Sequence, residues 1–526
     1  MRFLRNQGIE LFFSDGELHY SGPKGSMTPN LLRDLVQNKA EMRSLLRRHA
    51  HRQRPAPPLR AVERQGELEL SYAQERLWFE EQLSPGSASY NVPVVVRMKG
   101  TLDVGALERS LTTVVRRHEA LRTTFRLSRD NPVQVIGRPT TIKLEPNDLR
   151  SLDPAQQNPW IEKWIREGRT RPFDLERGPL LRAGLARVGE REHVLQLVLH
   201  HIVSDAWSMG VLLREVAALY CEEVEGVPAG LNALPVQYAD YAAWQRRWLT
   251  GGVLEEHLEY WHRRLGGMGE IRRLPPDGEG GVRRGGVSPL GWSAGLGDAL
   301  RRLGRQEGAT LFMTMAAGLA TLLSQELGTT DVVIGADVAN RHQVDVEGLI
   351  GFFVNIVVLR MDLRGDPEFR ELLRQVRERV LEMSLHQEVP FERVVEELQP
   401  ERKVGRTPLF QVLLVMQNAP LPAMKLSGIE LEAVEVDNET AKFDLALFVR
   451  ESQGRLAGSW NYRRDLFRPG TVERLSRRLE SVLAAGAARP EMTLSRLLIS
   501  NRSMSGGLGG AIAAPGVSAN QLFPRR

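Results

Sequence analysis

The sequence predicts an α/β protein of several domains, on three observations. At 526 residues the chain is too long for one core and implies two to four domains. His193–Tyr220 reads as a strand, a tight turn and a helix in direct succession. The first fifty residues carry a separate pattern of hairpin and helix pair, followed by a stretch rich in Pro and Arg. Apolar residues at 42% and charged residues at 26% are ordinary for a globular protein.

Residues 1–50 form an αββαα unit. A short helical piece ends near Gly8, and the strands flanking Ser14-Asp15-Gly16 alternate as a hairpin does. Thr28 and Pro29 make an N-cap and first-turn pair, after which Leu31, Leu32, Leu35, Val36, Met42, Leu45 and Leu46 line one face. Residues 51–66 lack an apolar face and read as a linker. From there an amphipathic segment, a Pro-Gly turn and the strand VPVVVRMKG open a packed region. Leu107, Leu111, Val114 and Val115 then fall at helical spacing. Residues 501–526 are glycine-rich, aperiodic and expected to be disordered.

The central stretch begins with an apolar run that ends on His200 and His201, the pattern of a buried strand running out at its edge. Ser204, Asp205 or Ser208 is available as N-cap for a helix bearing Val211, Leu212, Val216 and Leu219. Successive strand side chains point to opposite faces, so the two histidines cannot share one role, and where one faces a cavity the other packs.

A single cysteine, Cys221, excludes an intramolecular disulfide and gives no metal cluster, so a reducing cytoplasm is the simplest setting. No metal is expected. The N-terminus lacks a signal-peptide core, and the longest apolar run, Thr310 to Leu323, is too short to span a bilayer and should be a buried helix. The net charge of +5 is uneven, with twelve Lys and Arg against six Asp and Glu in residues 1–65. Nucleic acid is one candidate for that patch, yet no aromatic-rich or zinc-finger signature accompanies it, and an acidic peptide fits as well.

HHIVSDAW resembles the HHxxxDG motif shared by chloramphenicol acetyltransferase-like acyltransferases and the condensation domains of nonribosomal peptide synthetases. Six further segments are similar to condensation-domain motifs, in the family's order. They are SYAQERLWF, RHEALRTTF, YADYAAWQ, the GADVANRHQ to GFFVN stretch, HQEVPFERV and YRRDLFRPG. The first has the form typical of members that join two L-configured residues. Residues 1–50 resemble the N-terminal docking domains of the tubulysin-synthetase type, in the hairpin, the SGPKG turn and the TPNLLRDLVQNK helix.

The resemblance implies two chloramphenicol acetyltransferase-like α/β lobes in a V, at 67–250 and 251–500, with a tunnel between them. Upstream and downstream peptidyl carrier proteins would bring a donor acyl or peptidyl thioester and an acceptor aminoacyl thioester. The phosphopantetheine arms belong to the carriers, and no cofactor of the chain's own is implied. His201 would face the tunnel, as general base or as a group that orients the amine. His200 would pack, and Asp205 would be tied to an arginine of the second motif, taken as Arg117. Ala206 stands where the motif has glycine. Trp244 and Asn355 would contact substrate or brace the lobe interface.

In the docking family an exposed hairpin edge takes up the acidic C-terminal tail of an upstream subunit, and a homodimer is a further option. Lys24, Arg33, Lys39 and Arg43 are the candidate charge partners here. The sequence holds no adenylation ATP motif and no LGGxS carrier site, so a free-standing didomain or a piece of a longer synthetase is expected. Two alternatives stay open: an epimerisation domain, which shares the histidine motif, and a condensation-like domain that only recruits carriers, which Ala206 raises. A heterocyclisation domain would carry aspartates in place of the histidines.

Overall fold

In the computed structural model the described residues are 10–14, 17–21, 56–278, 280–281, 284–400, 407–417, 426–434, 440–452 and 455–497. The chain divides into two units, Met1–Pro58 and Leu59–Arg526. In the first, β1 (Glu10–Ser14) pairs antiparallel with β2 (Glu17–Ser21), and Ser14 stands opposite Glu17 across the turn. Lys24, Arg33, Lys39, Arg43, the expected helices of this unit and the 501–526 tail lie outside the described residues.

The second unit continues, in chain order, with β3 (Leu68–Glu69), β4 (Asn91–Lys99), β5 (Thr123–Ser128), β6 (Asn131–Ile136), β7 (Asn147–Asp148), β8 (Leu181–Gly189) and β9 (Glu192–His200). There follow β10 (Gly285–Pro289), β11 (Asp331–Val338), β12 (Asn355–Asp362), β13 (Val412–Met416), β14 (Glu430–Val434), β15 (Leu445–Ser452) and β16 (Arg455–Arg463). They build a five-stranded sheet β14-β4-β9-β8-β7, a six-stranded sheet β10-β16-β15-β13-β11-β12 and a small sheet β3-β6-β5. Each large sheet carries helices, so the architecture is two α/β lobes.

In the N-terminal lobe β9 is buried on both faces, which is why its sequence reads as a continuous apolar run. Leu195, Leu197 and Leu199 pack on the helices Val104–Arg117 and Ala206–Glu225, through Leu107, Leu111, Val114, Leu212 and Val216. Val194, on the opposite face, packs on Ile161 and Ile165 of the helix Pro154–Thr170. The strand therefore ends in a fixed register, with His200 opposite Asn91 of β4.

The C-terminal lobe is built around the helix Leu311–Leu327, which Thr310 caps by accepting the Met313 N–H at 3.3 Å. One continuous buried cluster joins this helix to the six-stranded sheet and to the helices Phe369–Met383 and Pro469–Ala488. The apolar run at 310–323 is thus the centre of a core. Among the described residues no single helix is long and apolar enough to cross a membrane.

Two expected boundaries shift. β14 lies far beyond residue 250, yet it pairs antiparallel with β4 of the N-terminal lobe. An edge strand presents unpaired N–H and C=O groups, and a segment from the other half of the chain satisfies them here. The linker assigned to 51–66 also ends early. Leu59 is buried, Val62 N–H donates to Asp240 at 2.7 Å, and Arg64 binds Asp240 and Glu119 at 2.7 and 2.8 Å. The buried Asp240 carboxylate needs such partners, and a polar tie of this kind leaves no apolar period in the sequence.

Candidate active site

β9 delivers His200 and His201 to the lobe boundary, and a short turn leads to Asp205, the N-cap of the helix Ala206–Glu225. The two rings do go to different environments. His200 is buried between Phe173 and Tyr90, with ring centroids 6.0 and 6.2 Å away. Its Nδ1 accepts the Ile202 N–H at 3.1 Å, so its Nε2 carries the proton and is buried with no partner among the described residues. Burial, with the charges of Lys442 and Arg182, pushes its pKa down to about 3, so it is a neutral packing group.

His201 is half-buried. Its backbone N–H donates to the Tyr90 carbonyl at 2.8 Å and its ring stands edge-on to Phe352 at 4.7 Å. Nδ1 lies 2.7 Å from the Ser204 carbonyl oxygen. A carbonyl only accepts, so Nδ1 bears the proton and Nε2 the lone pair. Burial first, and then the charge of Lys442, hold its pKa well below the ordinary value. The ring is therefore a neutral, oriented acceptor at physiological pH.

Asp205 is not tied to Arg117. Its carboxylate accepts from Ser208 N at 2.8 Å, from Phe353 N at 3.0 Å and from Arg341 Nη2 at 3.2 Å. Arg341 is itself buried, donating to the Val346 and Leu349 carbonyls at 2.6 and 2.7 Å and stacking 3.9 Å over the Phe353 ring. Ser208 Oγ sits among Asp205, Arg341 and the Gly351 backbone at 2.7 to 3.0 Å. Arg117 instead binds Glu215 at 3.1 Å. Glu215 is ten residues along the helix from Asp205, about 15 Å at the rise of an α-helix, which puts Arg117 out of reach.

Glu215 also accepts from His118 Nε2 at 2.8 Å, while His118 Nδ1 accepts the Ile350 N–H at 3.3 Å. Burial pushes the Glu215 carboxyl up, but His118 and Arg117 outweigh it and leave the pKa lowered. Ala206 begins the helix outside the left-handed region and is exposed, so the methyl group in place of glycine meets no strain there. Trp244 is buried between Tyr241 and Trp248, in stacks of 5.9 and 6.4 Å. Asn355 Nδ2 donates to the Gln387 and Val389 carbonyls at 2.8 and 2.7 Å, and its Oδ1 accepts the Phe391 N–H at 3.2 Å. These three hydrogen bonds brace residues 387–391.

Sequence reasoning missed Arg341, Glu215, His118 and Lys442, and named Ser208 only as a possible N-cap. Glu215 did carry a signal, since a charge between Leu213 and Val216 on an apolar stripe needs a partner. Gly351 shows the closeness of the joint: a Cβ there would fall 1.9 Å from the Tyr238 ring, whose hydroxyl donates to the Phe352 carbonyl at 2.5 Å.

The family described as Condensation domain matches residues 64–505, and the TubC N-terminal docking domain matches residues 1–47. A linear gramicidin synthase of Brevibacillus parabrevis is 44% identical over 438 residues, 82% of this chain and 6% of that protein. Chondramide synthase cmdD of Chondromyces crocatus is 43% identical over 438 residues, 83% of this chain and 11% of that one. The chain thus spans about a tenth or less of the length of these relatives. Among solved structures, the X-domain from teicoplanin biosynthesis is similar, with a TM-score of 0.76, 30% identity, and coverage of 84% of this chain and 99% of that one. The first condensation domain of the calcium-dependent antibiotic synthetase, with a TM-score of 0.71, 22% identity and coverage of 82% and 98%, shares the fold.

Proposed function

The chain belongs to the condensation-domain family of nonribosomal peptide synthetases and carries an N-terminal docking domain; from this we propose that it joins two carrier-bound substrates through an amide bond at His201. The donor is an acyl or peptidyl thioester and the acceptor an aminoacyl thioester. The observation that carries the reading is the tautomer of His201, fixed by Ser204 so that Nε2 keeps its lone pair.

The neutral α-amine of the acceptor attacks the thioester carbonyl carbon. The C–N bond forms, the carbonyl oxygen becomes an oxyanion, and nitrogen becomes cationic. An α-ammonium has a pKa near ~8, but nitrogen bonded to the new tetrahedral carbon is far more acidic, so even an imidazole of depressed pKa can take its proton. The oxyanion collapses, the C–S bond breaks, and the leaving thiolate takes the proton back as the pantetheine thiol of the donor carrier. Alignment of two tethered reactants supplies on the order of 7 kcal/mol of the barrier, and His201 adds about 10² to 10⁴ in rate as acceptor or orienting group. The Arg341–Asp205 pair holds the turn and touches no substrate.

The docking unit takes the acidic tail of an upstream subunit on an edge of the β1–β2 pair, with Lys24, Arg33, Lys39 and Arg43 as charge partners. Carriers bring the pantetheine arms, and the chain needs no group of its own. The test loads donor and acceptor carriers with a panel of labelled amino acids. Wild type should yield a dipeptidyl thioester that His201→Ala loses by about a hundredfold or more. No product with any pair, or equal yield after the substitution, overturns the reading.

A further inference from the structure

Four consecutive residues of the C-terminal lobe, Ile350 to Phe353, are held one by one by groups of the N-terminal lobe. The Ile350 N–H donates to His118 Nδ1 at 3.3 Å, and Ser208 Oγ accepts the Gly351 N–H at 3.0 Å. The Tyr238 hydroxyl donates to the Phe352 carbonyl at 2.5 Å, and Asp205 accepts the Phe353 N–H at 3.0 Å. Ile350 packs among Val114 and Leu212, and Phe352 among Trp78 and Ile202, so the strip is seated in the apolar clusters of the other lobe. β12 starts at Asn355, just beyond, which makes the strip continuous with the six-stranded sheet. This seating brings the Phe352 ring edge-on to His201 at 4.7 Å.

His118, at the end of the helix Val104–Arg117, is buried. Because its Nδ1 accepts a backbone N–H, its Nε2 carries the proton and donates to Glu215 at 2.8 Å. Glu215 stands on the helix that Asp205 caps. One ring therefore links that helix, through Nε2, to the strip, through Nδ1. An apolar residue of the same size would fill the space but leave the Ile350 N–H buried without this acceptor.

We propose that His118 is a positioning residue for amide formation, which through Nδ1 holds the Ile350–Phe353 strip and so keeps the Phe352 ring against the His201 imidazole. This rests on the reading of His201 as the group that meets the amine. The terminal torsion of a histidine side chain is broad, so the bond to Ser204 alone leaves the His201 ring free to tilt. The edge contact with Phe352 removes that freedom. The competing role for His118, a mere partner for the buried Glu215 carboxylate, uses the other nitrogen of the ring, and the two roles can be separated.

Asparagine carries an acceptor near the place of imidazole Nδ1, and glutamine a donor near the place of Nε2. His118→Gln thus keeps the Glu215 bond and loses the Ile350 bond, and His118→Asn does the reverse. In single-turnover amide formation between loaded carriers, the full chain with His118→Gln should react roughly tenfold or more slowly at saturating carrier. The carrier concentration giving half the maximal rate should stay unchanged, because alignment is lost and docking is not. His118→Asn should restore most of the rate. Amide hydrogen exchange across 350–353, read by fragment mass spectrometry, should quicken at least about threefold in His118→Gln and not in His118→Asn. Faster exchange in β9 as well would report unfolding, and His118→Leu with Glu215→Leu then replaces the glutamine variant. That pair removes the acceptor together with the carboxylate that would be stranded, and should be equally slow. A glutamine or double-leucine variant at the wild-type rate, or a folded asparagine variant as slow as the glutamine one, overturns the proposal. Equal rates for His201→Ala and wild type would sink the reading of His201 and this role with it, whereas failure confined to the His118 variants leaves that reading standing.

Discussion

The two lobes meet at one helix N-terminus and bring different kinds of residue to it. The N-terminal lobe supplies His201 and the N-cap Asp205, on a strand and a turn adjacent in sequence. The C-terminal lobe supplies what holds them: Arg341, the Phe353 N–H and the Phe352 ring. The groups proposed to react are thus short-range features, and their support is long-range. A lobe joint built this way should respond very differently to substitutions on its two sides.

The largest effect is expected from Arg341→Ala. It strands the buried Asp205 and should destabilise the fold by about 3 to 5 kcal/mol in urea unfolding. Gly351→Ala comes next, because the added methyl meets the Tyr238 ring; a loss of about 1 to 3 kcal/mol is expected by the same measurement. On the N-terminal side His200 imposes a pH dependence. With a folded pKa of about 3 against an unfolded value near ~6.5, the unfolded chain binds the extra proton as pH falls. Stability should therefore fall by about 1.4 kcal/mol per pH unit from pH 6.5 towards 3 on this account. His200→Leu should remove that part of the slope, and an unchanged slope would mean that the ring is protonated when folded.

Arg117→Met should cost only about 1 kcal/mol, since its partner Glu215 keeps His118. A loss as large as that of Arg341→Ala would contradict the reassigned pairing. Ala206→Gly is the mildest, within about 0.5 kcal/mol and without effect on product yield, because the position is exposed and unstrained.

The strand, turn and helix around His201 were legible because periodicity and capping act over a few residues. So was the buried helix at 311–327, whose apolar side chains run all round it. The Asp205 partner was not legible. Arg341 lies 136 residues away, and nothing local distinguishes a buried arginine from an exposed one. The same limit hid Lys442, which meets Tyr90 only once the lobes are packed, and β14, which completes the sheet of the other lobe. The resemblance named the right motifs, yet it assigned the ion pair to the wrong arginine because motif order carries no distances.

The most direct test measures single-turnover amide formation and urea stability together for wild type and His201→Ala. The account predicts a rate lower by about a hundredfold or more with stability lowered by about 1 kcal/mol, the worth of the lost hydrogen bond to Ser204. An equal rate for the two proteins would contradict it.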